Sequence, residues 1–207
     1  MYKHSKQVKY SGIPLNEAEK AIIMVHGRGA TSESIISLAE HLNLSDASLL
    51  APVATNRSWY PYSFMAPVEK NQPALDTALE LIDLIVKDVL EAGIPLNKIY
   101  FLGFSQGACL MLEYITQNAA PYGGAITFTG ALIGEHINPE NYKGDFANTP
   151  ILVTTGDPDS HVPLYRVEES IAILKELHAD VFLKVYKDRP HTILNEEIEL
   201  ANQLVLK

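Results

Sequence analysis

Five consecutive apolar residues, Ala21-Ile22-Ile23-Met24-Val25, restrict this 207-residue chain more than any other segment. Side chains of an extended segment point alternately to opposite faces. A strand with no polar position must therefore be covered on both sides, as in a parallel sheet flanked by helices. The rest of the chain reads in the same terms. Further strands are expected at 48–52, 98–104, 124–128, 151–154 and 181–186, and helices at 32–42, 73–92, 106–117, 164–178 and 193–206. The clearest helix, 73–92, has Pro73 in its first turn, Leu75, Leu79, Ile82, Val86 and Val89 at helical spacing, and Gly93 to stop it. Two long connections remain, 53–71, rich in aromatics and proline, and 130–149; loops of that length in a compact domain tend to carry function. With no repeat and no linker-like stretch, the alternation predicts one α/β domain over 1–207. Its sheet is expected to be doubly wound and mostly parallel, with no separate lid domain.

Composition removes several classes of function. Sixteen Lys and Arg against 25 Asp and Glu leave a formal net charge of −9. Nucleic-acid affinity comes from cations that neutralise phosphates, so a nucleic-acid partner is not expected, nor is an anionic membrane surface. The single cysteine, Cys109, excludes an internal disulfide and any multi-cysteine metal centre. The start, Met1-Tyr2-Lys3-His4-Ser5-Lys6-Gln7, has no apolar run behind its charges, so no secretory signal is expected. The most apolar long segment, 75–90, is broken by Asp76, Glu80, Asp83, Lys87 and Asp88, and no membrane span is expected. A cytoplasmic location follows as an expectation.

The strongest chemical signal is Gly103-Phe104-Ser105-Gln106-Gly107, at the passage from an expected strand into an expected helix. A turn this sharp leaves no room for side chains two residues either side of the serine, and it lifts the hydroxyl above the sheet at a helix N-terminus. The plainer alternative makes Ser105 a helix N-cap. A serine nucleophile needs a base, and the base an orienting acid, in the chain order Ser, Asp or Glu, His. The loop after the strand at 151–154 offers Asp157 and Asp159, and His191 follows the next strand. His161 competes as base but shares a loop with the acids. Asp157 and Asp159 could instead cap the helix at Leu164. An oxyanion needs preorganised amides. One would come from Gln106, after the serine, and another from the turn in Val25-His26-Gly27-Arg28-Gly29. That turn also opens like a dinucleotide-binding fingerprint, with Asp46 about 20 residues on, but Ser32 stands where the third glycine belongs.

The segments HGRG, GFSQG and GDPDSHVP, with the late His191, resemble the phospholipase/carboxylesterase family of α/β-hydrolases, from about residue 21 to the C-terminus. That family includes acyl-protein thioesterases and small bacterial carboxylesterases. The resemblance implies Ser105 as nucleophile, His191 as base and Asp159 as acid, three residues before the Val162-Pro163 pair. It implies the amides of Arg28 and Gln106 as oxyanion donors, and a cleft bordered by Ser58-Trp59-Tyr60, with Trp59 and Tyr60 as substrate-binding residues. Three positions depart from the thioesterases: Arg28 stands for a frequent leucine, Pro61 for a frequent aspartate, and Ala108 for a second glycine. The expected activity is therefore hydrolysis of a small carboxylic ester, of the carboxylesterase, thioesterase or lysophospholipase type, through an acyl-enzyme and with no cofactor or metal.

Other expectations follow from the same residues. Hydrolysis should fall as acid protonates His191, which accepts a proton only when neutral. Tyr62, Phe64 and Met65 join Trp59 and Tyr60 as pocket candidates, or the loop packs as a hydrophobic plug. Arg28 either recognises an anionic group of the substrate or is solvated or paired with an acid such as Glu33. Cys109 is expected to be a small buried hydrophobe. Folds of this kind also serve as non-catalytic binding proteins, which usually lack one member of the triad.

Overall fold

The computed structural model describes residues 2–207; Met1, part of the stretch read against a signal peptide, lies outside the described residues. Seven strands form one sheet in the order β1-β3-β2-β4-β5-β6-β7. They are β1 (Val8–Gly12), β2 (Lys20–Val25), β3 (Ala47–Pro52), β4 (Ile99–Phe104), β5 (Gly124–Phe128), β6 (Pro150–Asp157) and β7 (Asp180–Lys187). All neighbouring strands run parallel except the edge pair β1 and β3, which is antiparallel with Val8 opposite Pro52. The helices are α1 (Ser32–Ile36), α2 (Val68–Asn71), α3 (Ala74–Glu91), α4 (Gln106–Gln117), α5 (Leu164–Glu176) and α6 (Asn195–Leu204).

The apolar run in β2 behaves as its composition requires. Ile23 and Val25 enter a core with Phe101, Leu110 and Val167, while Ile22 and Met24 face Leu102, Ile126, Ile198 and Val205 on the other side. Helices α3, α4 and α5 contribute to the first core; α1 and α6 contribute to the second. Every residue of α4 from Gln106 to Thr116 is buried, so the helix that begins just after Ser105 is held from all sides.

Three local expectations need revision. The first strand, β1, is not among the expected elements: four of its five residues are exposed, so it lacks an apolar signature, and only Val8 packs against the core. The helix expected at 32–42 ends at Ile36 and continues as a 3₁₀ turn, Ser37–His41. The connection 53–71 holds a 3₁₀ turn, Thr55–Arg57, and the short α2. Among the described residues no helix is long and apolar enough to cross a membrane.

Ile82 is fully buried in α3 among the side chains of the first core. Ile82→Ala should lower the unfolding free energy by about 2–5 kcal/mol in urea titration; a loss under about 1 kcal/mol would contradict the packing of α3 described above.

Candidate active site

The parallel strands deliver their following loops to one end of the sheet. Gly27–Gly29 follows β2, Ser105 follows β4, Asp159 follows β6 and His191 follows β7. Between β4 and α4 the chain turns without room to spare. A Cβ on Gly107 would lie 2.2 Å from the Val25 carbonyl oxygen, and one on Gly103 would lie 2.6 Å from Ala108 Cα. Ser105 is left at φ 52° and ψ −121°, a conformation that costs an L-residue on the order of 1–3 kcal/mol. Its amide donates to the Phe128 carbonyl at 3.0 Å. The N-cap alternative is not realised, because the Ser105 side chain makes no capping bond.

The hydroxyl meets His191 instead. His191 Nε2 lies 2.8 Å from Ser105 Oγ, and Nδ1 lies 2.8 Å from Asp159 Oδ2. With the imidazole neutral and its proton on Nδ1, the ring donates to Asp159 and accepts from Ser105. Asp159 Oδ1 accepts the amides of His161 and Val162 at 2.8 and 2.9 Å. Burial opposes ionisation of Asp159, but the bond from His191 and those two amides outweigh it and hold the carboxyl below the usual range. Asp157 is exposed at the end of β6 and makes no side-chain hydrogen bond to His191. The ring of His161 packs edge-on against His191, with centroids 4.7 Å apart, and does not bond Ser105.

A cavity of about 480 Å³ opens over these groups, lined by Ser105, Gln106, His161 and His191 and walled by Tyr60, Tyr62, Phe64 and Phe104. Trp59 and Met65 do not line it. Trp59 is fully buried behind the wall, where its indole N–H donates to the His26 carbonyl at 2.7 Å and its ring packs on His26. Of the two residues expected to bind substrate, Tyr60 lines the cavity and Trp59 does not. Cys109 also reaches the cavity; burial pushes its thiol up to about 12, so it is a poor nucleophile.

Arg28 is exposed and does not pair with Glu33. Its guanidinium donates to the carbonyls of Tyr60, Pro61 and Tyr62 at 2.9, 2.9 and 2.7 Å, while Glu33 pairs with Lys9. The amide hydrogens of Arg28 and Gln106 have no protein acceptor among the described residues. The nucleotide reading finds no support in the position of Asp46, which pairs with Lys20 at the start of β2, a strand's length from Gly27. Among the described residues no three His, Cys, Asp or Glu side chains converge so as to hold a metal ion.

Sequence reasoning missed the support behind His191. Arg189 and Glu197, both buried, pair at 3.2 Å. Arg189 also donates to Thr129 Oγ1 at 2.6 Å and to the Thr192 carbonyl. Glu197 accepts the Leu194 amide at 2.7 Å and the Thr154 hydroxyl. The loop carrying His191 is thereby tied to the ends of β5 and β6 and to α6. The signal available was an arginine two residues before the histidine and a glutamate six residues after it, with nothing to show that both are buried.

Because the folded carboxyl of Asp159 is held low, its stabilising effect is complete above the unfolded-state value, near ~4, and is lost as pH falls through the lower folded value. The denaturation midpoints of the wild type and Asp159→Asn should therefore converge as pH is lowered from about 7 to 3. A gap that stays constant across that range would contradict the arrangement around Asp159.

Residues 13–206 match the phospholipase/carboxylesterase family. A crystal structure of a phospholipase/carboxylesterase from Dyadobacter fermentans is 56% identical, covers 100% of this chain and 99% of that one, and superposes with a TM-score of 0.99. Carboxylesterase SOBER1 of Arabidopsis thaliana is 26% identical over 207 residues, 88% of this chain and 87% of that protein. Acyl-protein thioesterase 1 of Saccharomyces cerevisiae is 26% identical over 207 residues, 89% of this chain and 91% of that protein. Other curated relatives align over shorter stretches, down to 50% of their own length. With its mostly parallel sheet and this match over nearly its whole length, the chain belongs to the phospholipase/carboxylesterase family of α/β-hydrolases.

Proposed function

We propose that the protein is a serine carboxylic-ester hydrolase acting on small esters or thioesters through an acyl-enzyme. The observation that carries this reading is the chain of two 2.8 Å contacts from Ser105 Oγ through His191 to Asp159 at the floor of the cavity. His191 takes the proton of Ser105 as its oxygen attacks the substrate carbonyl. The imidazolium that results is stabilised by Asp159, which also fixes the ring's tautomer.

The carbonyl oxygen becomes an oxyanion between the amides of Arg28 and Gln106, the latter at the N-terminus of α4, where the helix dipole adds a favourable field. Collapse of the tetrahedral intermediate expels the alcohol or thiol, which takes the proton from His191. Water then attacks the acyl-enzyme with His191 again as base. Serine remains the nucleophile because the Cys109 thiol stays protonated at neutral pH. The aromatic wall of Tyr60, Tyr62 and Phe64 offers apolar contact for the substrate's acyl or alcohol group. No step requires a cofactor, a metal or a nucleic acid.

Ser105→Ala should lower turnover of p-nitrophenyl butyrate by several orders of magnitude with the fold intact by circular dichroism. A fluorophosphonate should label the wild type and leave the variant unmodified. Near-wild-type hydrolysis by the variant would overturn the reading, and a wild type that takes up no fluorophosphonate would favour a binding protein instead.

A further inference from the structure

Three donors converge on one oxygen, the carbonyl of Tyr60. Ser58 Oγ reaches it at 2.9 Å, Arg28 Nη2 at 2.9 Å and Gln106 Nε2 at 2.7 Å. A carbonyl offers two lone pairs, so three donors, one of them cationic, make this atom a fixed node. The grip extends along the chain in both directions. Arg28 also holds the carbonyls of Pro61 and Tyr62, and Gln106 Oε1 accepts the Trp59 amide at 3.0 Å. The backbone from Trp59 to Tyr62, which carries the aromatic wall, is thus held by Arg28 and Gln106, with Ser58 on the Tyr60 carbonyl and Asn71 on the Tyr62 amide. Arg28 and Gln106 both line the cavity, and their amides have no protein acceptor among the described residues.

Arg28 lies in a glycine-flanked turn. It sits between Gly27 and Gly29, and Gly29 adopts φ 79° with nothing within 4 Å of where a Cβ would be. Glycines on both sides leave the intervening peptide free to turn. The backbone supplies restraint at Gly29, whose amide donates to the Arg57 carbonyl at 2.7 Å, and at Ala30, whose amide donates to Gly27 at 3.1 Å. The Gly27 carbonyl shares its planar peptide with the Arg28 N–H and also lies 2.8 Å from His26 Nδ1, so that peptide is gripped at its oxygen while its N–H has no protein acceptor among the described residues. The Arg28 side chain closes the ring: amide, side chain, Tyr60 oxygen, Gln106 side chain, Gln106 amide.

We propose that Arg28 is a positioning residue, whose guanidinium grips the Tyr60, Pro61 and Tyr62 carbonyls and so holds its own amide, together with that of Gln106, where the oxyanion forms. The inference rests on the ester-hydrolase reading above. It differs from recognition of an anionic substrate, for which the exposed cation at the cavity lip would otherwise be the natural candidate. An amide held at the oxyanion position acts on charge that exists only in the transition state, so its loss appears in kcat rather than in KM.

The test compares wild type, Arg28→Ala and Arg28→Lys on two esters, neutral p-nitrophenyl butyrate and the anionic mono-p-nitrophenyl succinate, with thermal unfolding as a control on the fold. Arg28→Ala should lose about ten- to hundredfold in kcat on both esters, the range expected for a misplaced catalytic group, with KM changed by less than about twofold. Arg28→Lys keeps the charge but lacks the planar fork, and should lose nearly as much. Millimolar methylguanidinium should restore part of the kcat of Arg28→Ala and leave the wild type unchanged. Retention of wild-type kcat by both variants would overturn the proposal, as would a loss confined to the succinate ester or one appearing only in KM. Those outcomes leave the hydrolase reading standing. If Ser105→Ala matches the wild type, the hydrolase reading fails and the Arg28 proposal falls with it.

Discussion

Helix α4 meets the end of β2 at a distance that admits no side chain. With a Cβ on Gly107 placed only 2.2 Å from the Val25 oxygen and 2.4 Å from that of His26, the first turn of the helix is pressed against the strand end that leads to Arg28. The close approach compels the left-handed backbone of Ser105, and burial of nearly all of α4 keeps that strain from relaxing. Two consequences reach the chemistry together. The hydroxyl projects above the carboxyl ends of the strands, and Gln106 and Arg28 come to line one cavity.

The remaining groups arrive from strands that share the parallel register. Parallel strands put all their outgoing loops on one side, so β6 and β7 supply an acid and a base that sequence separates by 32 positions. What the strands alone do not supply is orientation. Asp159 acquires it from two backbone amides, and the His191 loop from the buried pair Arg189–Glu197. A buried pair of this kind is a doubtful source of net stability, since removing two charges from water is costly. Its value here lies in tying the loop to Thr129, Thr154 and Leu194.

The parts of the fold readable from sequence were those in which one residue type meets one physical demand. The apolar run 21–25 of β2 and the periodic α3 meet that condition, and the glycines around Ser105 mark a sharp turn; chain order points to Ser105 and His191, while the choice of Asp159 over Asp157 comes from the family resemblance. Strand β1 escaped notice because an edge strand with polar, exposed side chains is indistinguishable from a loop by hydropathy. The orientations of Trp59 and Arg28 are illegible in the sequence for a related reason. Sequence marks a large aromatic or a lone cation as noteworthy without telling which way it points. Here Trp59 turns inward to the His26 carbonyl, and Arg28 turns along its own loop to three carbonyls. Backbone carbonyls are acceptors at every residue, so no pattern of side chains announces such partners.

In the proposed reaction Ser105 Oγ carries the acyl group. Acid-quenching the enzyme during turnover of p-nitrophenyl butyrate and mapping its peptides by mass spectrometry observes that bond directly. A single butyryl adduct on Ser105 is the predicted result. An acyl group on another residue, or saturating turnover with no adduct at any quench time, would contradict it.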